Sequence, residues 1–237
     1  MKIEQRIAVI IDSGHGIDTI GKWSPKFHTT TTVGDMEFLA GERFKEHYFN
    51  FPTSLLLQTE LAKNNIPSRL IRNTEKDMPI TERVQIQRYL YNRYKELGFK
   101  VVTISVHANA VGDGNSWIDA YGVETFAHVD CKESNKIAGL VQSNTMEVRK
   151  RYTPFRHNTD RGVKNANFWH FNRGRRAGFE GLVILPEAEF MTWLPSLKLL
   201  TSNQYKEDYV KAIAEAVVEY QGGVVIGNLN SKENRTI

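Results

Sequence analysis

Short runs rich in β-branched and aliphatic residues, Arg6–Asp12 (RIAVIID), Lys100–Val106 (KVVTISV), Gly122–His128 (GVETFAH) and Leu182–Leu185, alternate along the chain with segments of helical periodicity. This alternation limits the available folds more than any other feature. Runs without a period of 3.6 read as strands buried on both faces of a parallel sheet, which require covering helices. Helices are expected over Asn50–Asn64, with Asn50 as cap and Pro52 in the first turn, and over Thr81–Leu97, with a Thr cap and Val84, Arg88 and Tyr91 on one face. Two more are expected over Ser134–Arg151 and Gln204–Tyr220, and further strands at Ser68–Ile71 and around Gly162–Phe171. The expectation is an α/β fold: a single domain with a mostly parallel twisted sheet flanked by helices. Residues 1–223 read as one domain and residues 224–237 as a loosely ordered tail. The polar stretch from Ser13 to about Arg43 reads as a long loop without regular structure, of the kind that shapes a functional groove.

Several function classes are excluded early. The 237 residues carry a formal charge of only +4, so nucleic acid is not an expected partner without a concentrated basic face. The longest apolar runs are far too short to span a bilayer, so no transmembrane segment is expected. The N-terminal residues Lys2, Glu4 and Arg6 lead straight into a strand, without the apolar region of an export signal. A single cysteine, Cys131, forms no internal disulfide and no thiolate zinc site. Any metal must be held by His and carboxylates.

The unusual residues fall where strands end. The first run terminates in Asp12-Ser13-Gly14-His15-Gly16, the central one in Ser105-Val106-His107-Ala108-Asn109-Ala110, and the late one in Leu185-Pro186-Glu187. Ligand crevices of open α/β sheets lie beyond the carboxyl ends of the strands, so His15, His107 and Glu187 are expected at one edge. Two imidazoles and carboxylates suit zinc, which keeps three protein ligands and one open position when catalytic. Metal-assisted hydrolysis of an amide or ester is the reaction class. No HExxH helix is present. Gly14 and Gly16 are expected to let the chain turn sharply around His15, and Asp12 to tie down that turn as an Asx side chain. His28, His128, His157 and His170 read as loop or structural histidines, and Glu189 as a solvated acid.

Taken together, these segments resemble the zinc-dependent N-acetylmuramoyl-L-alanine amidases. DSGHG is similar to that family's opening motif, SVHANA to its central Ser-x-His-x-Asn, and Leu185–Met191 to a late strand whose Glu is followed three residues on by Phe. GVETF at Gly122 and RGVKNANF at Arg161 also resemble the family pattern. The resemblance implies zinc (Zn2+) ligation by His15 and His107, with Glu187 as catalytic base. The third ligand it implies is a helix-start Glu with an Asn four residues on, which Glu46 and Asn50 match; Glu42 and Glu37 are the competitors. Asn109 and Arg83 are the substrate-binding candidates. The substrate implied is peptidoglycan, cut between N-acetylmuramic acid and L-alanine by a monomeric enzyme. The basic segment from Arg151 to Arg176 is a second candidate surface, for stem-peptide carboxylates. Lacking an export signal, such a protein is expected to accumulate in the cytoplasm as a phage or prophage lysin that acts on the wall, or to leave by another route. Two alternatives stay open: another zinc hydrolase of stem peptides, carboxypeptidase-like, and a non-catalytic peptidoglycan-binding module.

Overall fold

The computed structural model describes residues 6–129, 131–153, 159–168 and 180–222. Eight strands are found among them: β1 Ile7–Ser13, β2 Thr31–Val33, β3 Met36–Phe38, β4 Ser68–Leu70, β5 Lys100–Asn109, β6 Val123–His128, β7 Asp160–Ala166 and β8 Leu182–Phe190. The helices are α1 His47–Lys63, α2 Ile80–Glu96, α3 Lys132–Tyr152, α4 Leu194–Thr201 and α5 Asn203–Tyr220.

Six strands form one sheet in the order β4-β1-β5-β8-β6-β7. Strands β4, β1, β5 and β8 run parallel; β6 is antiparallel to β8 and parallel to β7. The apolar run of β1 follows from its central place. Ile7, Val9 and Ile11 face one core with α1, α3 and α5, whereas Ala8 and Ile10 face a second with Tyr91 and Tyr94 of α2. A strand covered on both faces has no solvent side on which to place polar residues. The single α/β domain expected from the alternation is the fold observed.

The structure corrects several boundaries. Helix α1 begins at His47, after a cap position at Glu46, and Pro52 lies inside it. Asn50 is no cap, because its amide donates to Gly14 O (3.0 Å) and Glu46 Oε1 (2.9 Å). That buried tether, with the fully buried Phe49, holds the first turn against the sheet despite the lost Pro52 donor. Helix α2 begins at Ile80 after Pro79 with no side-chain cap, and its buried face carries Arg83, Val84, Gln87 and Tyr91, while Arg88 is exposed. Strands β5 and β8 extend past Val106 and Leu185.

The stretch from Ser13 to Arg43 is not structureless. It contains the β2–β3 hairpin around Gly34-Asp35 and buries Phe27, Val33 and Phe38. Gly34 has φ +57° and sits so close to Thr201 that a Cβ there would lie 2.3 Å from its Oγ1, while Asp35 caps the Asn203 N–H (2.8 Å). The hairpin is therefore anchored on α4 and α5. Helix α4 also has no counterpart in the sequence expectations. The tail at 224–237, His157, His170 and most of the basic segment lie outside the described residues.

Candidate metal centre

Three elements deliver three donor side chains to the carboxyl edge of the sheet. His15 follows β1, His107 lies on β5, and Glu46 stands at the cap of α1; one donor atom from each lies within 4.8 Å of the others. Glu46 Oε1 is 3.0 Å from His107 Nδ1, and Glu46 Oε2 is 3.6 Å from His15 Nε2. The imidazoles meet edge to face at 5.1 Å. A tetrahedral ion at about 2.1 Å from its ligands sets them about 3.4 Å apart, the scale of these separations. Glu37 and Glu42 are exposed on the hairpin side, and Glu42 is engaged by the Leu39 N–H.

The protonation states also suit a cation. Burial opposes the charge of Glu46, yet the hydrogen bond and charge of His107, then His15 and Asn50, hold its carboxyl down at about 2. Burial brings His15 down to about 4, so its imidazole is neutral at pH 7. Burial also opposes the charge on His107, but Glu46, aided by Glu187 and Asp12, raises its pKa. The 3.0 Å hydrogen bond between His107 Nδ1 and Glu46 Oε1 places a proton where a metal would bridge the two. Metal binding must displace that proton.

The turn carrying His15 is held by two arginines. His15 is a non-glycine residue at φ +43°, in the left-handed region. Arg72, almost fully buried at the end of β4, donates to His15 O (2.7 Å), Ser13 Oγ (3.2 Å) and Lys76 O (3.1 Å). Arg83 donates to Ser13 O (2.9 Å), Asp12 Oδ1 (3.0 Å) and Met78 O (3.0 Å), and pairs with Asp77. Gly14 and Gly16 serve by their size, since neither is among the positive-φ residues. A Cβ at Gly14 would lie 2.3 Å from the His107 ring, and one at Gly16 2.0 Å from the Asp77 backbone. Asp12 bridges Arg83 and Ser105 Oγ (2.8 Å), locking β1 and β5 to α2.

Glu187 lies beside the cluster, paired in register with His107. Its Oε2 is buried without a hydrogen-bond partner, and burial, reinforced by Glu46 and Glu124, pushes its pKa up to about 8. An orphaned carboxylate oxygen next to three convergent donors is the mark of a site built to accept something, and the donor set fits zinc. The structure therefore brings His15, Glu46, His107 and Glu187 together. It places the other two candidates differently. Arg83 borders a cavity of about 480 Å³ with His15 and His107, but its donors are spent on the protein. Asn109 donates to Glu124 Oε1 (2.7 Å) and accepts from the Ala110 N–H (2.8 Å). Both act as braces. Glu189 is not solvated: it is fully buried, pairs with Arg149 and accepts from Ser196 Oγ (2.6 Å). Arg72 and Glu124 were not singled out from the sequence, although Arg72 follows a short strand as His15 follows β1.

The sequence model of the N-acetylmuramoyl-L-alanine amidase family matches residues 9–219. No curated protein matches the chain. Among solved structures, it is similar to an N-acetylmuramoyl-L-alanine amidase from Clostridium difficile 630, with 21% identity, a TM-score of 0.66, and coverage of 92% of this chain and 98% of that one. The catalytic domain of the amidase CwlV from Bacillus (Paenibacillus) polymyxa var. colistinus gives 19% identity, a TM-score of 0.64, and coverage of 93% and 100%. A Nostoc punctiforme amidase gives 21%, 0.63, and coverage of 92% and 97%.

Proposed function

Because the chain belongs to the N-acetylmuramoyl-L-alanine amidase family, we propose that His15, Glu46 and His107 hold zinc and that Glu187 is the catalytic base of its reaction. That reaction is hydrolysis of the amide between N-acetylmuramic acid and L-alanine in peptidoglycan. Membership selects the amidase over the carboxypeptidase-like hydrolase and the binding module that the sequence left open. The observation that carries the site assignment is the convergence of three donor atoms within 4.8 Å beside a buried carboxylate oxygen with no partner.

When bound, zinc supplies Lewis acidity that polarises a carbonyl and acidifies water. The protein's own part is positional and protonic. Arg72 and Arg83 hold the left-handed His15 turn, and Asn50 ties Glu46 to Gly14 O. Glu187 takes the proton of the attacking water on its free Oε2 and returns it to the departing L-alanine nitrogen, acting first as general base and then as general acid. In the described residues no helix is long and apolar enough to cross a membrane.

Glu187→Gln tests the assignment. Turnover of purified wall, read as new L-alanine amino termini and free lactyl groups, should fall at least about 1000-fold while stoichiometric zinc remains. His15→Ala and His107→Ala should each lose the zinc. Full activity in Glu187→Gln, or stoichiometric zinc in both histidine variants, would overturn the assignment.

A further inference from the structure

On the flank of Glu187 away from the metal donors, the sheet builds a second charged group that amide hydrolysis does not use. His107, Glu187 and Glu124 are register partners across β5, β8 and β6. The next strand, β7, brings Arg161 and Lys164 to the Glu124 carboxylate, which accepts from Arg161 Nε (2.7 Å), Lys164 Nζ and Asn109 Nδ2. Glu124 is only 5% exposed, but the cations above it are 35% and 39% exposed. One buried anion therefore anchors two accessible cations and leaves an excess positive charge.

The pair is held from a second side as well. The Arg161 guanidinium lies over the Phe190 ring at 4.9 Å, and the Lys164 ammonium is 5.7 Å from the centre of Phe126. Arg161 spends only its Nε on Glu124, and its terminal nitrogens have no partner among the described residues. A fixed fork with free planar donors matches a carboxylate. The opposite flank differs. The cavity bordered by Met78, Pro79 and Ile80 contains one guanidinium, that of Arg83, already committed to Asp12 and Asp77.

We propose that Arg161 and Lys164 form the subsite for a carboxylate of the peptidoglycan stem peptide, so that the peptide arm crosses β6 and β7 and the glycan lies toward α2. The chemistry of the substrate supports this polarity. The sugars are N-acetylated and the lactyl acid is consumed in the scissile amide, so the negative charges belong to the peptide arm. The inference rests on the amidase reading.

Two muropeptides test it, identical except that the stem-peptide carboxylates are free in one and amidated in the other. The zinc-loaded enzyme should favour the free acid in kcat/KM by about fivefold, the scale of a half-exposed charge pair. Lys164→Gln and Arg161→Gln should each bring that ratio below about twofold, and Lys164→Arg should restore it. A purely structural role would change both substrates by the same factor. A wild-type ratio near one, or an unchanged ratio in both glutamine variants, would overturn the subsite while leaving the amidase intact. Cleavage of neither muropeptide would remove the amidase reading and the subsite with it.

Discussion

Arg72→Met is the perturbation that most directly tests how the metal centre is held. The methionine fills the aliphatic volume but removes every donor from a side chain that is 1% exposed. Ser13 O keeps its bond from Arg83, whereas His15 O and Ser13 Oγ lose theirs. An unmet charge-assisted hydrogen bond to a buried acceptor costs about 1.5–3 kcal/mol. The left-handed backbone of His15 is strained with or without Arg72, so it adds nothing to the difference. The donor-competent turn is thus expected to lose about 2 kcal/mol, which is roughly 30-fold in affinity. Outer supports of metal ligands generally cost 10–100-fold. Zinc titration against a competing chelator measures it, with circular dichroism reporting the fold. Arg72→Lys should recover little, because an ammonium cannot span the same carbonyls as the fork. A zinc Kd within twofold of wild type in both variants would refute the reasoning.

Gly14→Ala places a methyl 2.3 Å from the His107 ring, so the folded variant should carry far less than stoichiometric zinc by metal analysis. Arg149→Met leaves the buried Glu189 charge uncompensated and should cost about 3–5 kcal/mol in urea unfolding; adding Glu189→Leu should recover much of it, and additive losses would count against a coupled pair. The metal-free protein should lose stability between pH 6.5 and 8. In that window native Glu187 (about 8) and His107 (raised) retain protons that the unfolded chain has released, so unfolding gains as pH rises. Below pH 6.5 the lowered pKa of His15 acts in the opposite sense. Thermal unfolding in chelator should show the decline in wild type and a shallower one in Glu187→Gln.

Much of the fold was legible because a central parallel strand must be apolar on both faces. Arg6–Asp12 and Lys100–Val106 announce themselves as β1 and β5 for that reason. The edges were less so. β7 is a half-exposed strand whose Arg161 and Lys164 are chosen for a partner on β6, and no periodicity reports that. The hairpin of β2 and β3 did carry a local signal, Gly34-Asp35 between paired residues, but its strands have three residues each and are held by α4 and α5.

Residue identity and the strand-end rule were enough to single out His15, His107 and Glu187, since a parallel sheet collects its carboxyl ends at one edge whatever their separation in the chain. What they could not decide is conformation and commitment. Glu46 occupies the cap position of α1 without a side-chain capping bond, Asn50 reaches back to Gly14, Arg83 and Asn109 are engaged by internal partners, and His15 adopts a left-handed turn that Arg72 holds from 57 residues away. Local sequence sets which chemistry is available. Only three-dimensional packing determines which donors and acceptors are already spent, because that depends on groups the chain brings together from far apart.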